Sequence, residues 1–416
     1  MSRAARPRTT SHRTRHVLGA AAAVALLASG CGLSGATDSG NSGDSADDPI
    51  VIGMSLPLSG PAADRAKPGM EGYQYWADEV NANGGLLGRQ LELKVLDDGF
   101  DQQTAISDYN RLISQDKVDL LLGTFSSDLN LAVAPVAERY KYLYVQPSGG
   151  ADEIFARDFN YLFFAQPATT QRLPNQFVTV IEQMPAATRP KTLALVQQDD
   201  PNTTQAAEIF AERLGELGIT TVYNQTYAPD TSNFDAIANA IKQADPDVVI
   251  SGAVTGDGVA LVRSLQKVGF SPEMLYQQNE PTSPTYPEAI GAANTEGIFT
   301  PLAYSTETDF AGNTDFVAGY TKRYGYAPDE DAANSYTAAQ VLQAAVEAVG
   351  ELDQAAMATW LHKNTVETIV GPLSWDAAGR PQGELLLAQF QSGELKIVAP
   401  EDGANADILH PKPNWQ

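Results

Sequence analysis

The chain reads as an α/β protein built from two doubly wound, parallel-sheet lobes. Three observations lead there. Short apolar runs alternate with amphipathic helical patterns across residues 50–146, in the order β-α-β-α-β-α-β. The same alternation starts again at Thr192 and runs to Tyr276. The chain has 416 residues, more than one ordinary core holds. Strands that alternate with helices call for parallel sheet with helices on both faces.

In order, residues 50–58 form a continuous apolar run closed by Ser59-Gly60-Pro61, which predicts a buried strand. Met70, Tyr73, Trp76, Ala77 and Val80 recur at helical spacing, so a helix is expected over 68–83, stopped by Gly84-Gly85. Residues 90–96 alternate as a strand. Ala105, Ile106, Tyr109, Leu112 and Ile113 mark a helix over 101–114. Strands at 118–122 and 143–146 flank a helix at 129–140. In the second half, strands are expected at 192–197, 220–223, 248–251 and 274–276, with helices at 204–217, 234–244 and 256–268. Between the halves lie a strand-like stretch at 161–169 and a helix at 171–183. Later come a strand at 298–304, helices at 310–324 and 331–349, and strands at 371–375 and 385–390.

The N-terminus has its own chemistry. Residues 1–16 are basic, 17–28 are small and apolar, and Leu27-Ala28-Ser29-Gly30 precedes Cys31. This is the layout of a secretory signal, too short to span a bilayer. Small residues directly before a cysteine resemble a bacterial lipoprotein signal. The resemblance implies removal of residues 1–30 and lipidation of Cys31, the only cysteine in the chain. Ordinary secretion with an incidental cysteine is the other reading. Residues 31–49 are expected to be a flexible tether: apart from Leu33, the run 32–48 is Gly, Ser, Ala, Thr, Asn and Asp with no aromatic. A lone cysteine permits no intrachain disulfide.

Formal net charge is −24. Without residues 1–30 the chain keeps 22 basic residues against 51 acidic ones, a net of −29. So acidic a chain repels phosphate backbones, which argues against nucleic acid as a partner. The charge says little about a small ligand.

In open α/β sheets, ligands bind beyond the carboxyl ends of strands, and two such sheets facing each other form a cleft. After residues 118–122 comes Gly123-Thr124-Phe125-Ser126-Ser127-Asp128. Serine there caps a helix; equally, its hydroxyl and the free N–H groups of a helix start form an anion site suited to a carboxylate. After 143–146 comes Pro147-Ser148-Gly149-Gly150-Ala151. The glycines fit either a tight turn or close approach of a ligand to the backbone. In the second half the strand-end loops are 198–202, 252–255 and 277–280, where Asp199, Asp200 or Glu280 offers a partner for an ammonium group or stays solvated.

Ile52-Gly53-Met54, Leu58-Ser59-Gly60-Pro61 and the run from Val80 through Asn83-Gly84-Gly85 to Arg89 resemble the opening of the branched-chain amino acid/amide substrate-binding proteins. These are type I periplasmic-binding proteins, the Leu/Ile/Val-binding kind. Ala327-Pro328, Ala338-Ala339, Gly371-Pro372-Leu373-Ser374-Trp375-Asp376 and the end from Pro411 to Trp415 continue the match. The resemblance spans about residues 49–415. It implies three crossover strands near 166–169, 299–304 and 370–373. Lobe 1 is then 50–166 with 304–369, and lobe 2 is 167–303 with 370–416. It implies an extracytoplasmic solute-binding lipoprotein of an ABC importer that captures an amino acid, amide or related small carboxylate and delivers it to the permease; nothing in the sequence demands more than a monomer. It also implies a ligand-carboxylate serine at Ser127 with Ser126 beside it, a small-residue loop at Ser148, Gly149 and Gly150, and further contacts at Asn202 and at Gln278 or Glu280. Leucine-specific relatives have a hydroxyl residue at Gly150 and aromatics near Arg65 and Asn202. Arg65 in place of an aromatic suggests a bidentate grip on a carboxylate, or an arginine at the rim facing solvent.

No enzyme, cofactor or metal is expected. The histidines beyond residue 30 are His362 and His410, neither in a cluster with metal spacing. Ser126 has no nearby histidine in the pattern, and Gly149-Gly150 lacks a nucleotide-loop frame. Asp97-Asp98 looks like a carboxylate pair, but neighbours on a strand point to opposite faces, so it reads as solvated. A receptor for a membrane signalling partner and, further off, a secreted hydrolase remain as other readings.

Overall fold

The structure is a computed structural model; it describes residues 48–254, 256–283 and 285–416. The signal segment, Cys31 and nearly all of the tether lie outside the described residues, as does Thr255. The described residues, from Asp48 to Gln416, fall in one compact unit.

The first sheet contains β1 (Ile50–Leu56), β2 (Leu91–Asp97), β3 (Leu120–Leu122), β4 (Tyr144–Gln146) and β5 (Leu162–Phe164), with helices α1 (Ala63–Ala82), α2 (Gln102–Ser114), α3 (Ser127–Tyr140) and α4 (Asp152–Phe155) between them. All its strand pairs are parallel, in the order β2-β1-β3-β4-β5. Leu120 and Leu122 face one core with Ile50, Ile52 and Trp76. Leu121 faces the other with Tyr109 and Val133. This period-two alternation puts an apolar layer on each face.

The second sheet follows helix α5 (Asn175–Gln183). It contains β6 (Thr192–Gln198), β7 (Thr220–Tyr227), β8 (Val248–Gly252), β9 (Met274–Gln278) and β10 (Ile298–Leu302). Helices α6 (Pro201–Glu216), α7 (Asp235–Ala244), α8 (Asp257–Val268) and α9 (Tyr286–Ile290) connect them. The chain then adds α10 (Asn313–Tyr324), α11 (Glu330–Val349), α12 (Gln354–Leu361), a small ribbon of β11 (Val366–Thr368) and β12 (Gly371–Leu373), and finally β13 (Leu386–Gln391) and β14 (Glu394–Ala399). The sheet order is β14-β13-β10-β9-β8-β6-β7; β13 and β14 join antiparallel, so this sheet is mixed at one edge.

Both sheets reverse their strand order at one point, between β1 and β3 in the first and between β6 and β8 in the second. Those are the switch points where a crevice opens beyond the strand ends.

Several expectations shift. The helix expected from residue 68 starts at Ala63 and carries Pro68 inside. Proline costs only one hydrogen bond this near a helix start, where the remaining turns hold. Arg65 therefore sits in the first helical turn. The helix expected over 171–183 divides into a short 3-10 turn, Thr170–Arg172, and α5, with Pro174 at the α5 cap. Gln277 and Gln278, expected in a loop, end strand β9. The third crossing lies later than residue 370: Ile369, Val370, Leu373 and Trp375 pack in the first sheet's core, and Trp375 Nε1 donates to Phe164 O at 2.7 Å. Leu385 and Leu387 pack in the second sheet's core. Asp97 and Asp98 are not a solvated pair. Asp97 is exposed and accepts from Ser59 N and Gly99 N, whereas Asp98 is buried. Ser55 Oγ, Thr124 Oγ1 and Phe100 N donate to Asp98, and burial still pushes its carboxyl up to about 6.

Candidate functional site between the two sheets

The carboxyl ends of the two sheets enclose a cavity of about 70 Å³. Its first wall is built by the α3 start. Ser126 caps α3: its Oγ accepts from Leu129 N at 3.3 Å, and its backbone sits at φ 66°, ψ 160°. A non-glycine residue pays strain there, and such strain persists only where neighbours over-determine it. Asn130 does so, donating through Nδ2 to the carbonyls of Ser126 (2.6 Å), Ser148 (3.0 Å) and Thr124 (3.1 Å). Ser148 Oγ accepts from Ser126 N at 3.0 Å.

Gly149 explains its own residue type. Its φ is +87°, and a Cβ there would lie 2.6 Å from Ser126 O and 2.9 Å from Ser127 N. Only glycine lets the β4 loop lie on the α3 start. Ser127 is fully buried, and its Oγ accepts from Ala151 N at 3.1 Å. The hydroxyl proton is thereby left to point elsewhere.

Arg65 lines the cavity from α1, and Asp331 meets it from the first turns of α11. Nε and Nη2 of Arg65 make three hydrogen bonds to the Asp331 carboxylate at 2.9–3.0 Å. The bidentate grip expected for a ligand carboxylate is thus spent on Asp331, leaving Nη1. The guanidinium lies 5.6 Å from the Phe125 ring centroid, within cation–π range. Burial opposes the charge on Arg65, but Asp331, Glu280 and Glu330 outweigh it and raise its pKa. Glu330 also lines the cavity; its Oε1 accepts from Ala303 N at 2.9 Å, and burial pushes its carboxyl up to about 7.

The second wall comes from the other sheet. Asn202, in the first turn of α6, accepts from Thr170 Oγ1. Gln278 ends β9, is 2% exposed, and has an Nε2 without a hydrogen-bond partner. Asp200 is not a cavity group: it caps α6 through Asn202 N at 2.8 Å, with its pKa pushed up to about 6 by burial. Asp199 is exposed. Across the rim, Asp152 and Gln205 pair twice: Asp152 N donates to Gln205 Oε1 and Gln205 Nε2 to Asp152 Oδ2, both at 2.9 Å.

Of the nine candidate residues, Arg65, Ser126, Ser127, Ser148, Gly149, Gly150, Asn202 and Gln278 line this one cavity. Glu280 does not. It lies buried against Gly258, with neither carboxylate oxygen hydrogen-bonded, and burial pushes it up to about 8 although the Arg65 charge opposes the shift. Phe125, Gln166, Thr170, Leu173, Glu330 and Asp331 line the cavity too. No local motif marked Glu330 and Asp331, because they come from the start of α11, 266 residues from Arg65 in the case of Asp331. Among the described residues no cluster of His, Cys, Asp and Glu forms a metal site.

A crevice shared by the switch points of two sheets, with a helix start and a glycine loop on one wall, defines a two-lobed solute-binding protein. Residues 49–394 match the periplasmic binding protein family, and the chain belongs to it. It is 27% identical over 382 residues to Leu/Ile/Val-binding protein homolog 7 of Brucella suis, covering 87% of this chain and 94% of that protein. An amino acid binding protein of Pseudomonas aeruginosa is 23% identical over 330 residues, covering 79% and 87%. The fold is shared with a branched-chain amino acid transporter substrate-binding protein of Streptococcus pneumoniae solved with isoleucine (TM-score 0.76, 19% identity, 88% of this chain and 100% of that one). It is shared as well with an ABC transporter solute-binding protein of R. palustris solved with benzoate (TM-score 0.75, 22% identity, 88% and 97%).

Proposed function

We propose that this chain is the solute-binding lipoprotein of an ABC importer, held outside the cell membrane by lipid on Cys31, and that it captures an amino acid, amide or related small carboxylate between its lobes. The observation that carries this reading is the wall made by Ser126, Ser127 and Gly149. It offers a buried hydroxyl and the start of a fourteen-residue helix to one small anion. The relatives named above bind small carboxylates according to their own names and titles, which supports the class.

In this reading the ligand meets the first wall through Ser126, Ser127 and the 148–150 loop. The second lobe then swings in on the three crossings and adds Asn202 and Gln278. Closure removes polar ligand groups from water, so each must find a partner. The extra contacts made only when closed shift the population toward the closed form. That form is the one presented to the permease, and the monomer is its working state.

A thermal-shift screen of residues 49–416 against amino acids, amides, mono- and dicarboxylates and aromatic acids tests the reading. A ligand of the folded state raises the melting temperature by mass action. A shift with one group of carboxylates, reduced in Ser127→Ala, is the expected result. A hit whose shift is untouched by Ser127→Ala sends the ligand to another site.

A further inference from the structure

A second hollow, of about 400 Å³, lies where the second crossing passes from one sheet to the other. Its walls are residues 302–307 of that crossing, the loop 326–330 that leads into α11, and Glu394 with Leu395 at the start of β14. Its volume is that of a small-molecule pocket. We infer that this hollow is a second binding site, and that it takes a primary ammonium carried on a small apolar or aromatic body. The site stands on its own observations and does not depend on what the cleft binds.

Charge is the first of these. Glu307, Asp329, Glu330 and Glu394 line the hollow, and among the described residues no lysine or arginine does. The cation nearest to two of them is Lys396, whose Nζ lies 2.6 Å from Glu394 Oε2 and 3.8 Å from Glu307 Oε1. Glu330 spends Oε1 on Ala303 N. Asp329 caps α11 by accepting from Ala332 N through Oδ1, and among the described residues no hydrogen bond engages its Oδ2. Burial and the neighbouring Asp331 push the Asp329 carboxyl up, and burial pushes Glu330 up to about 7. A cation placed beside them favours their charged forms. A ligand carboxylate would be repelled here, so acids are poor occupants.

Tyr304 is the second and independent observation. It lines the hollow, is 4% exposed, and its hydroxyl has no hydrogen-bond partner among the described residues. A buried hydroxyl normally finds one. Burial first, then the Asp329 charge, raises its pKa, so hydroxyl and carboxylate stand within electrostatic reach of each other. An ammonium between them gives one N–H to the hydroxyl oxygen and one to the carboxylate. The rest of the ligand has an apolar bed in Leu302, Pro328 and Leu395. Tyr326 adds an aromatic ring that is 45% exposed, held in place by its hydroxyl on Glu71 Oε2 at 2.5 Å. Such a ring attracts a cation to its face.

Calorimetric titration of the purified protein tests the site, with benzylamine as the probe and benzyl alcohol as its neutral match. Benzylamine is expected to bind at least about tenfold tighter than the alcohol. Tyr304→Phe removes the unmatched hydroxyl and keeps the ring, whereas Tyr326→Ala removes the exposed ring. Each is expected to weaken benzylamine at least about threefold, the size of one hydrogen bond or one cation–π contact, while melting cooperatively like the parent. Equal binding of amine and alcohol would overturn the assignment of a cation. Glu330 lines both the hollow and the cleft, and Glu280 is a second buried acid, so the site itself needs its own control. Affinity lost in Glu280→Gln but kept in Tyr304→Phe and Tyr326→Ala would put the ammonium at Glu280 and overturn the second site. So would the absence of benzylamine binding up to about 10 mM.

Discussion

Ser126 holds a backbone conformation that only glycine adopts without strain, and it does so because Asn130 ties down three carbonyls around it. The strain costs about 1–3 kcal/mol. What it achieves is geometric: it turns the chain so that the next peptide lies against Gly149. Gly149→Ala is therefore expected to cost stability twice, through φ +87° and through contact with Ser126 O at 2.6 Å. Urea unfolding should register a loss of at least about 2 kcal/mol, while Gly403→Ala, with nothing within 4 Å of its Cβ, stays near wild type. Equal stability of the two variants would mean that the 149 loop is free to move off the α3 start.

Glu280 makes a prediction of opposite character. Its carboxyl is neutral to a higher pH when folded, up to about 8 from an ordinary 4.5, because burial disfavours the charge. The folded chain thus holds a proton that the unfolded chain releases between those values. Stability from this group is complete below pH 4.5, falls as pH rises, and levels off beyond about 8. Glu330 and Asp98 shift the same way. Glu280→Gln should flatten the decline between pH 5 and 8 by up to a few kcal/mol in urea unfolding. An unchanged slope would show that Glu280 is solvated.

At the scale of elements, α1 and α11 decide where the Arg65–Asp331 pair stands. They approach closely through glycines on α1. A Cβ at Gly72 would lie 2.1 Å from Ala332 O, and one at Gly69 would lie 2.9 Å from Ser335 Oγ. Alanine is the better helix former by about 1 kcal/mol, yet here it must push the helices apart. Gly72→Ala is expected to destabilise by roughly 1–3 kcal/mol despite that gain. It should also loosen the pairing of Arg65 with Asp331, whose helix is the one displaced. A stabilised variant would contradict the close packing of the two helices.

The same helices show what the sequence could and could not reveal. Strands β1 to β4 and the helices between them were legible because each is a short apolar run or a helical stripe bounded by Gly, Pro or Ser. The cavity-lining residues Ser126, Ser127 and Gly149 were legible as strand-end residues. Asp331 was not, because its partner is 266 residues away and pairing over such a distance leaves no periodic trace. Asp98 misled for a related reason. Its neighbour Asp97 is solvated, and only the turn through Gly99 and Phe100, both at positive φ, tucks Asp98 against Ser55 and Thr124. Arg65 lines the cavity, but its guanidinium is occupied by Asp331 from a distant helix, which its sequence neighbourhood did not announce.

At the scale of the whole molecule, two sheets with the same kind of strand-order reversal place their switch points face to face, and links across the rim join them. Asp152 is the busiest of these. Besides pairing with Gln205 from α6, it accepts from Thr169 Oγ1 and Gln171 N in the first crossing, and Arg380 approaches it to 3.6 Å from the third. A swing of one lobe against the other must break the Gln205 pair, while the crossing contacts can stay. The central claim is that the α3 wall takes the acid group of a small ligand as the lobes close. Titration calorimetry tests it most directly, with residues 49–416 and the Ser127→Ala variant measured side by side against the acid giving the largest thermal shift. Loss of affinity by about tenfold or more in the variant, which stays folded but loses about 1–3 kcal/mol of stability with the Ala151 N hydrogen bond, is the expected result. Equal affinity in the two proteins would contradict it and place the acid group elsewhere.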